Sequence, residues 1–121
     1  MKPRKMYIPR NTMELLEFVV SMLSSAPKFT NKTGYFPYQN LDYVFRQLSE
    51  GLSFNRQTLG EERYQELMRM SDQMRALFEA DPDDKTGETL KGCKIIHQME
   101  DILRQAQRKS RSRNFHSEGD S

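Results

Sequence analysis

Apolar residues recur at helical spacing in four stretches of this chain, and turn-forming segments separate the stretches, so the pattern predicts an all-α fold. In the first stretch Met13, Leu16, Val20 and Leu23 form a stripe. Val19, Leu15, Phe18 and Met22 widen it until more than half the circumference is apolar, which predicts the most buried helix of the molecule. Asn11 is a preferred N-cap with Glu14 in capping-box register, and Pro27 sets the end by disfavouring helical geometry in the residue before it. The second stretch, opened by Asn40, places Leu41, Val44, Phe45, Leu48 and Leu52 in register and leaves Tyr43 and Phe54 off the stripe. Gly51 inside it costs about 1 kcal/mol relative to Ala and signals close packing or a kink. Gly60 suits the position just past a helix end.

The third stretch begins with Glu61 and Glu62, acids that complement the dipole of a first helical turn. Tyr64, Leu67, Met68, Met74, Leu77 and Phe78 then share one face, while Arg63, Glu66, Arg69, Asp72, Arg75 and Glu79 coat the other at pairing distance. Met68, Met70 and Met74 make a thioether patch that serves as adaptable core filling or as a binding surface. The fourth stretch runs from near Thr86 through Leu90, Ile95, Ile96, Met99, Ile102, Leu103 and Ala106, with Cys93 on or beside the stripe.

Two connections carry distinctive chemistry. Lys28 to Gln39, KFTNKTGYFPYQ, has no helical period and holds the turn formers Asn31, Gly34 and Pro37. Unstructured loops of that length are uncommon in compact domains unless they are functional or pinned by side chains. Phe29, Tyr35, Phe36 and Tyr38 therefore either plug the open end of a bundle or offer an aromatic contact surface. The second connection, ADPDDKTGE, sets Asp81, Asp83, Asp84 and Glu88 against Lys85 alone, with Glu79 just before it. These acids read as solvated turn residues or as a negative patch that steers a basic partner.

A length of 121 residues supports one core, and 30% charged against 36% hydrophobic residues makes that core small. The domain is read as residues 11–106, a single small four-helix unit with a long aromatic-rich loop between its first two helices. Residues 1–10 form a flexible basic arm and residues 107–121 a disordered tail, basic and then acidic. Against the formal +2 of the whole chain, the arms carry +4 and +2, which leaves −4 for the body. The folded part is thus acidic and its ends basic. No apolar run is long enough to span a bilayer, and MKPRKMYIPR leads to Glu14 and Glu17 rather than to an apolar signal region. With Cys93 as the single cysteine, no internal disulfide is possible and a cytoplasmic location is expected.

No catalytic constellation emerges. His97 and His116 are the only histidines, so no zinc quartet can be drawn and no metal or cofactor is expected. Cys93 and His97 share a helix face at i, i+4, a spacing that arises by chance in any helix. The aspartate run is too short for an EF-hand loop, and GETLKGCK lacks the lysine and the following Ser or Thr of a phosphate-binding loop. The chain reads as a non-enzymatic protein-binding module. Its alternative is a small regulatory or nucleic-acid-associated protein whose arms, KPRK and RKSRSR, neutralise phosphates nonspecifically.

FVVSMLSSAPKF, GYFPYQNLDYVFRQLSEGL, LGEERYQELMRMSDQMRALFEADPDDKTGE and IIHQMEDIL together resemble the small all-helical immunity proteins of bacterial contact-dependent growth inhibition systems. The resemblance spans nearly the whole body in general character and contains no diagnostic motif. It implies a partner: a cognate toxin domain, commonly a basic nuclease, whose active site the immunity protein blocks. Glu79, Asp81, Asp83, Asp84 and Glu88 would then supply competing charge, with Tyr35, Phe36 and Tyr38 as apolar anchors.

Overall fold

Five helices and no strand form among the described residues: α1 Thr12–Ser25, α2 Leu41–Phe54, α3 Arg56–Leu59, α4 Glu61–Ala80 and α5 Glu88–Gly119. The computed structural model describes the backbone of residues 6–29 and 40–119 and the side chains of residues 6–29 and 40–108. The one helix beyond the four expected is α3, a single turn between α2 and α4. Most of the expected aromatic loop, residues 30–39, lies outside the described residues.

Capping follows the sequence closely. Asn11 is extended, and its Oδ1 accepts a bond from the Glu14 backbone N–H at 2.8 Å. Glu14 reaches back one residue further than a capping box does, accepting from the Arg10 N–H at 2.9 Å. Asn40 caps α2 in the same way, accepting from the Tyr43 N–H at 2.9 Å. Gly60 joins α3 to α4 at φ 88°, a conformation that would strain any side chain.

One expected face is rotated, and a second departs only in its first turn. On α1 the buried row is Thr12, Leu15, Val19 and Met22, whereas Met13 and Val20 are 43% and 41% exposed. Nearly every face of this helix is apolar, so periodicity does not fix which row turns inward; contacts with α2 and α5 do. On α5 the inward row is Thr89, Gly92, Ile96, Met99, Leu103 and Ala106, spaced alternately by three and four, and Leu90 is 60% exposed. Thr89 and Gly92 hide the first two inward positions from a reading based on large apolar residues. Gly92 is required there: a Cβ would lie 2.5 Å from the Phe78 ring. On α2 the expected Val44, Phe45, Leu48 and Leu52 are all buried. Gly51 shows close packing, since a Cβ would come within 3.0 Å of Pro9 and 3.1 Å of Leu15.

Phe29, Phe45 and Phe78 meet at the centre of one end. The Phe29 ring stands edge-on to Phe45 at 5.6 Å and to Phe78 at 5.2 Å, and it is fully buried. Of the four candidate plug residues, Phe29 is therefore core, and it anchors the start of the 30–39 connection. Helices α1 and α5 run antiparallel. Gln107 Nε2 points at Met13 Sδ, 3.7 Å away, at one end, and Lys28 Nζ lies 3.5 Å from Asp83 at the other.

The backbone stays helical to Gly119, past the point at which a disordered tail was expected. Residues 6–10 pack on the fold: Pro9 is buried, and the buried side chains of Gln47 in α2 and of Asn55, the residue that caps its end, hold the carbonyls of Tyr7 and Pro9. Gln47 and Asn55, which do this, fall in register with Val44, Leu48 and Leu52, so polar residues on an apolar stripe were the available signal.

Candidate functional site

The acidic candidates gather where α1 ends, α4 ends and α5 begins. Chain geometry brings them together because α4 and α5 form an antiparallel pair around a short turn, and the end of α1 packs beside that turn. Here the C-terminal ends of α1 and α4 meet the N-terminal ends of α2 and α5, so helix dipoles of both signs converge and the side-chain carboxylates set the local charge.

Asp81 differs from its neighbours. It is 2% exposed, and its Oδ1 accepts from the Lys85 and Thr86 N–H groups at 2.7 and 3.1 Å. Its Oδ2 accepts from the Thr89 N–H at 3.1 Å, and the Thr89 hydroxyl donates to the Asp81 carbonyl at 3.0 Å. Desolvation alone would push this carboxyl up, but the backbone bonds from Lys85, Thr89 and Thr86, joined by the Thr89 hydroxyl, outweigh it and hold the group at about 2. Asp81 thus organises the turn and the start of α5, and its expected role as a contact acid is corrected: both its oxygens are already engaged and almost none of it meets solvent.

The other four acids lie nearer the surface, and three of them stand in loose pairs. Glu79 Oε1 accepts from Arg75 Nε at 3.3 Å, and the same guanidinium also bonds Asp42 and stands 5.9 Å from the centroid of the Phe45 ring. Asp83 faces Lys28, and Glu88 pairs with Lys91 at 3.1 Å. Asp84 sits at φ 55° with its N–H donating to the Asp81 carbonyl at 3.1 Å. Exposed pairs of this kind contribute about 0–1 kcal/mol each, so a partner's cation can take the place of an internal one at little cost.

Glu79, Asp83 and Asp84 rim two shallow depressions that share Pro27, Lys28 and Pro82. One, of about 530 Å³, has Leu41 and Phe78 on its wall and Asp42 and Glu79 at its edge. The other, of about 460 Å³, is closed by Ser24, Ser25, Asp83 and Asp84. Asn40 lines the first, and Phe29 lies in the core beneath this end. The aromatic candidates Tyr35, Phe36 and Tyr38 lie outside the described residues, between those two flanking positions.

His97 Nδ1 stands 3.3 Å from Glu100, which is 7% exposed and also faces Arg104 at 3.5 Å. Burial, with the charge of Asp84 adding to it, pushes the Cys93 thiol up and away from the thiolate that nucleophilic chemistry needs. Among the described residues no three His, Cys, Asp or Glu side chains are grouped to hold a metal ion, and no helix is long and apolar enough to cross a membrane. Comparison with protein-family models, with curated proteins and with solved structures finds no match for this chain.

Proposed function

We propose that this chain is a protein-binding helical domain that docks a basic partner at the end formed by α1, α4 and the start of α5, and that the partner is a toxin domain whose activity it blocks. The observation that carries the reading is the separation of roles among the turn acids. Asp81 is sequestered to build the turn, while Glu79 is left at the edge of the depression walled by Leu41 and Phe78, and Asp83 and Asp84 at the edge of the adjoining one that shares Pro27, Lys28 and Pro82 with it. Carboxylates around an apolar depression suit a surface rich in Lys and Arg with an apolar anchor at its centre. The resemblance to immunity proteins suggests the class of partner, and the exposed acids beside the two depressions support this end as its docking surface.

The experiment is co-expression with a toxin domain from a neighbouring reading frame, wherever one encodes such a domain; the absence of any toxin frame beside this one would count against the toxin reading. Growth rescue and a stable complex are expected. The triple variant Glu79→Gln, Asp83→Asn, Asp84→Asn should bind more weakly, with a flatter dependence on salt. Unchanged affinity would remove this surface from the proposal, and failure of the unaltered chain to rescue growth would remove the toxin.

A further inference from the structure

Helix α5 runs on past the helix it packs against. Gln107 is level with Met13 in the first turn of α1, and the backbone continues as helix from Arg108 to Gly119, about 18 Å at 1.5 Å per residue. The inward row Ile96, Met99, Leu103 and Ala106 continues at helical spacing through positions 110, 114 and 117, which hold Ser110, Asn114 and Ser117. The row that builds the core thus turns polar where α5 passes α1, and Phe115 is the one apolar residue after Ala106. A lipid surface or a packed helix would require an apolar face there. Charge takes its place. From Arg104 to Arg113 the sequence RQAQRKSRSR has five bases and no acid. At 3.6 residues per turn, positions 104, 108 and 111 form one row and positions 109 and 113 another, and the two rows lie on nearly opposite sides of the helix. Arg104 and Arg108 are exposed, and Arg104 faces Glu100 at 3.5 Å on the body side. Within each row the bases stand three or four residues apart, a spacing at which like charges repel, so an anion along each side relieves the helix.

We infer that the stretch of α5 from Arg104 to Arg113 enters the major groove of double-stranded DNA, its two basic rows meeting the phosphates of the two strands. A helix with its side chains is about 10–12 Å across and the major groove of B-form DNA is about 12 Å wide, so one admits the other. The major groove of A-form RNA is too narrow for this. A helix in a groove has phosphates on both sides, whereas an acidic patch on a folded protein meets one side only. The bases match phosphates rather than base edges, so binding is independent of sequence and steep in salt. This part of α5 lies at the end of the bundle away from Asp83, so the inference goes beyond the docking surface proposed above and does not rest on it.

Fluorescence anisotropy of a fluorescein-labelled DNA duplex titrated with the full chain tests this. Saturable binding is expected, with log K falling against log salt at a slope of about −4.5, since each phosphate neutralised contributes about −0.9. Neutralising part of either row, Arg108→Gln with Arg111→Gln or Lys109→Gln with Arg113→Gln, should bring the slope to about −2.7 and weaken binding ~10-fold or more. Lys91→Gln with Lys94→Gln removes the same charge from α5 within the bundle and should leave the slope unchanged. Ser112→Pro keeps every charge but breaks the helix, and should weaken binding ~5-fold or more. Any of four results overturns the inference: no saturable binding, an equal loss from the pair within the bundle, full affinity in the proline variant, or binding to double-stranded RNA or phosphatidylserine vesicles as tight as to DNA.

Discussion

Two acids of this protein have a carboxyl held at about 2, for different reasons, and titration can tell them apart. Asp81 is depressed from 3.8 because backbone N–H bonds to the carboxylate outweigh its burial. Glu61 is depressed from 4.5 by the two-pronged Arg56 guanidinium, with bonds at 2.8 and 2.6 Å, and then by Gln65. A folded-state value below the unfolded one means each charge stabilises the fold above the unfolded value, and that the contribution is lost as the pH falls toward 2. Replacing Asp81 by Asn should therefore lower stability at neutral pH and make the fall in stability between pH 4 and 2 shallower. Glu61→Gln should act in the same direction at low salt and lose its effect in 0.5 M sodium chloride, because that pair is exposed. Denaturant titrations at stepped pH check both; an equal salt response would contradict the assignment. Gly92 offers a steric test. A methyl there meets the face of a packed ring, so Gly92→Ala should cost about 1–3 kcal/mol despite the better helix propensity of Ala. Phe78→Leu in the same chain should recover part of that loss, with the sum of the single effects exceeding the double. Neither residue could be read from the sequence in this way. Asp81 stands among similar acids with nothing to mark it as the buried one, and Gly92 is inward-facing only because α5 settles on the Thr89 row.

At the scale of the element, legibility depended on contrast between faces. Helix α2 separates apolar and polar rows cleanly, so its buried apolar residues Val44, Phe45, Leu48 and Leu52 are readable from spacing, and Gly51 gave the signal of close packing. Helix α1 has apolar residues on nearly every side, and the spacing alone picked the wrong row. That difference predicts a mutational asymmetry. Met13→Gln and Val20→Thr, on the exposed row, should each change stability by no more than about 0.5 kcal/mol. Leu15→Ala, on the buried row beside Pro9 and Gly51, should cost about 2–5 kcal/mol. Chemical denaturation of the three variants, with unchanged slope, is the measurement, and equal losses at Val20 and Leu15 would restore the row first expected. The docked segment 6–10 adds to the cost at Leu15, since the same side chain supports the Pro9 hollow. Its docking escaped the sequence because Gln47 and Asn55 are polar in a row where a pattern reading looks only for apolar residues.

At the scale of the molecule, charge is sorted by position more sharply than net charge suggests. The acids that the sequence presented as one cluster divide into one structural residue and several at the surface. Fold class was legible because four amphipathic stretches permit little else. The division within the acid cluster was not, because it depends on which side of a tight turn each carboxylate faces. The division leads to a prediction that separates contact from architecture. Neutralising Glu79, Asp83 and Asp84 should leave the unfolding midpoint nearly unchanged, because isolated surface pairs contribute about 0–1 kcal/mol each. Removing three charges from the rim should slow association with a basic partner by about tenfold at low ionic strength, since rim charges act mainly on the encounter rate. The difference should shrink as salt is raised past physiological strength, where the screening length falls to about 8 Å or less. Asp81→Asn should show the converse, a lowered midpoint with an association rate close to that of the unaltered chain. Stopped-flow association across a salt series, run beside thermal unfolding of both variants, reads the two effects independently. Equal slowing in both would mean that the rim acts through the fold of the turn rather than through its field.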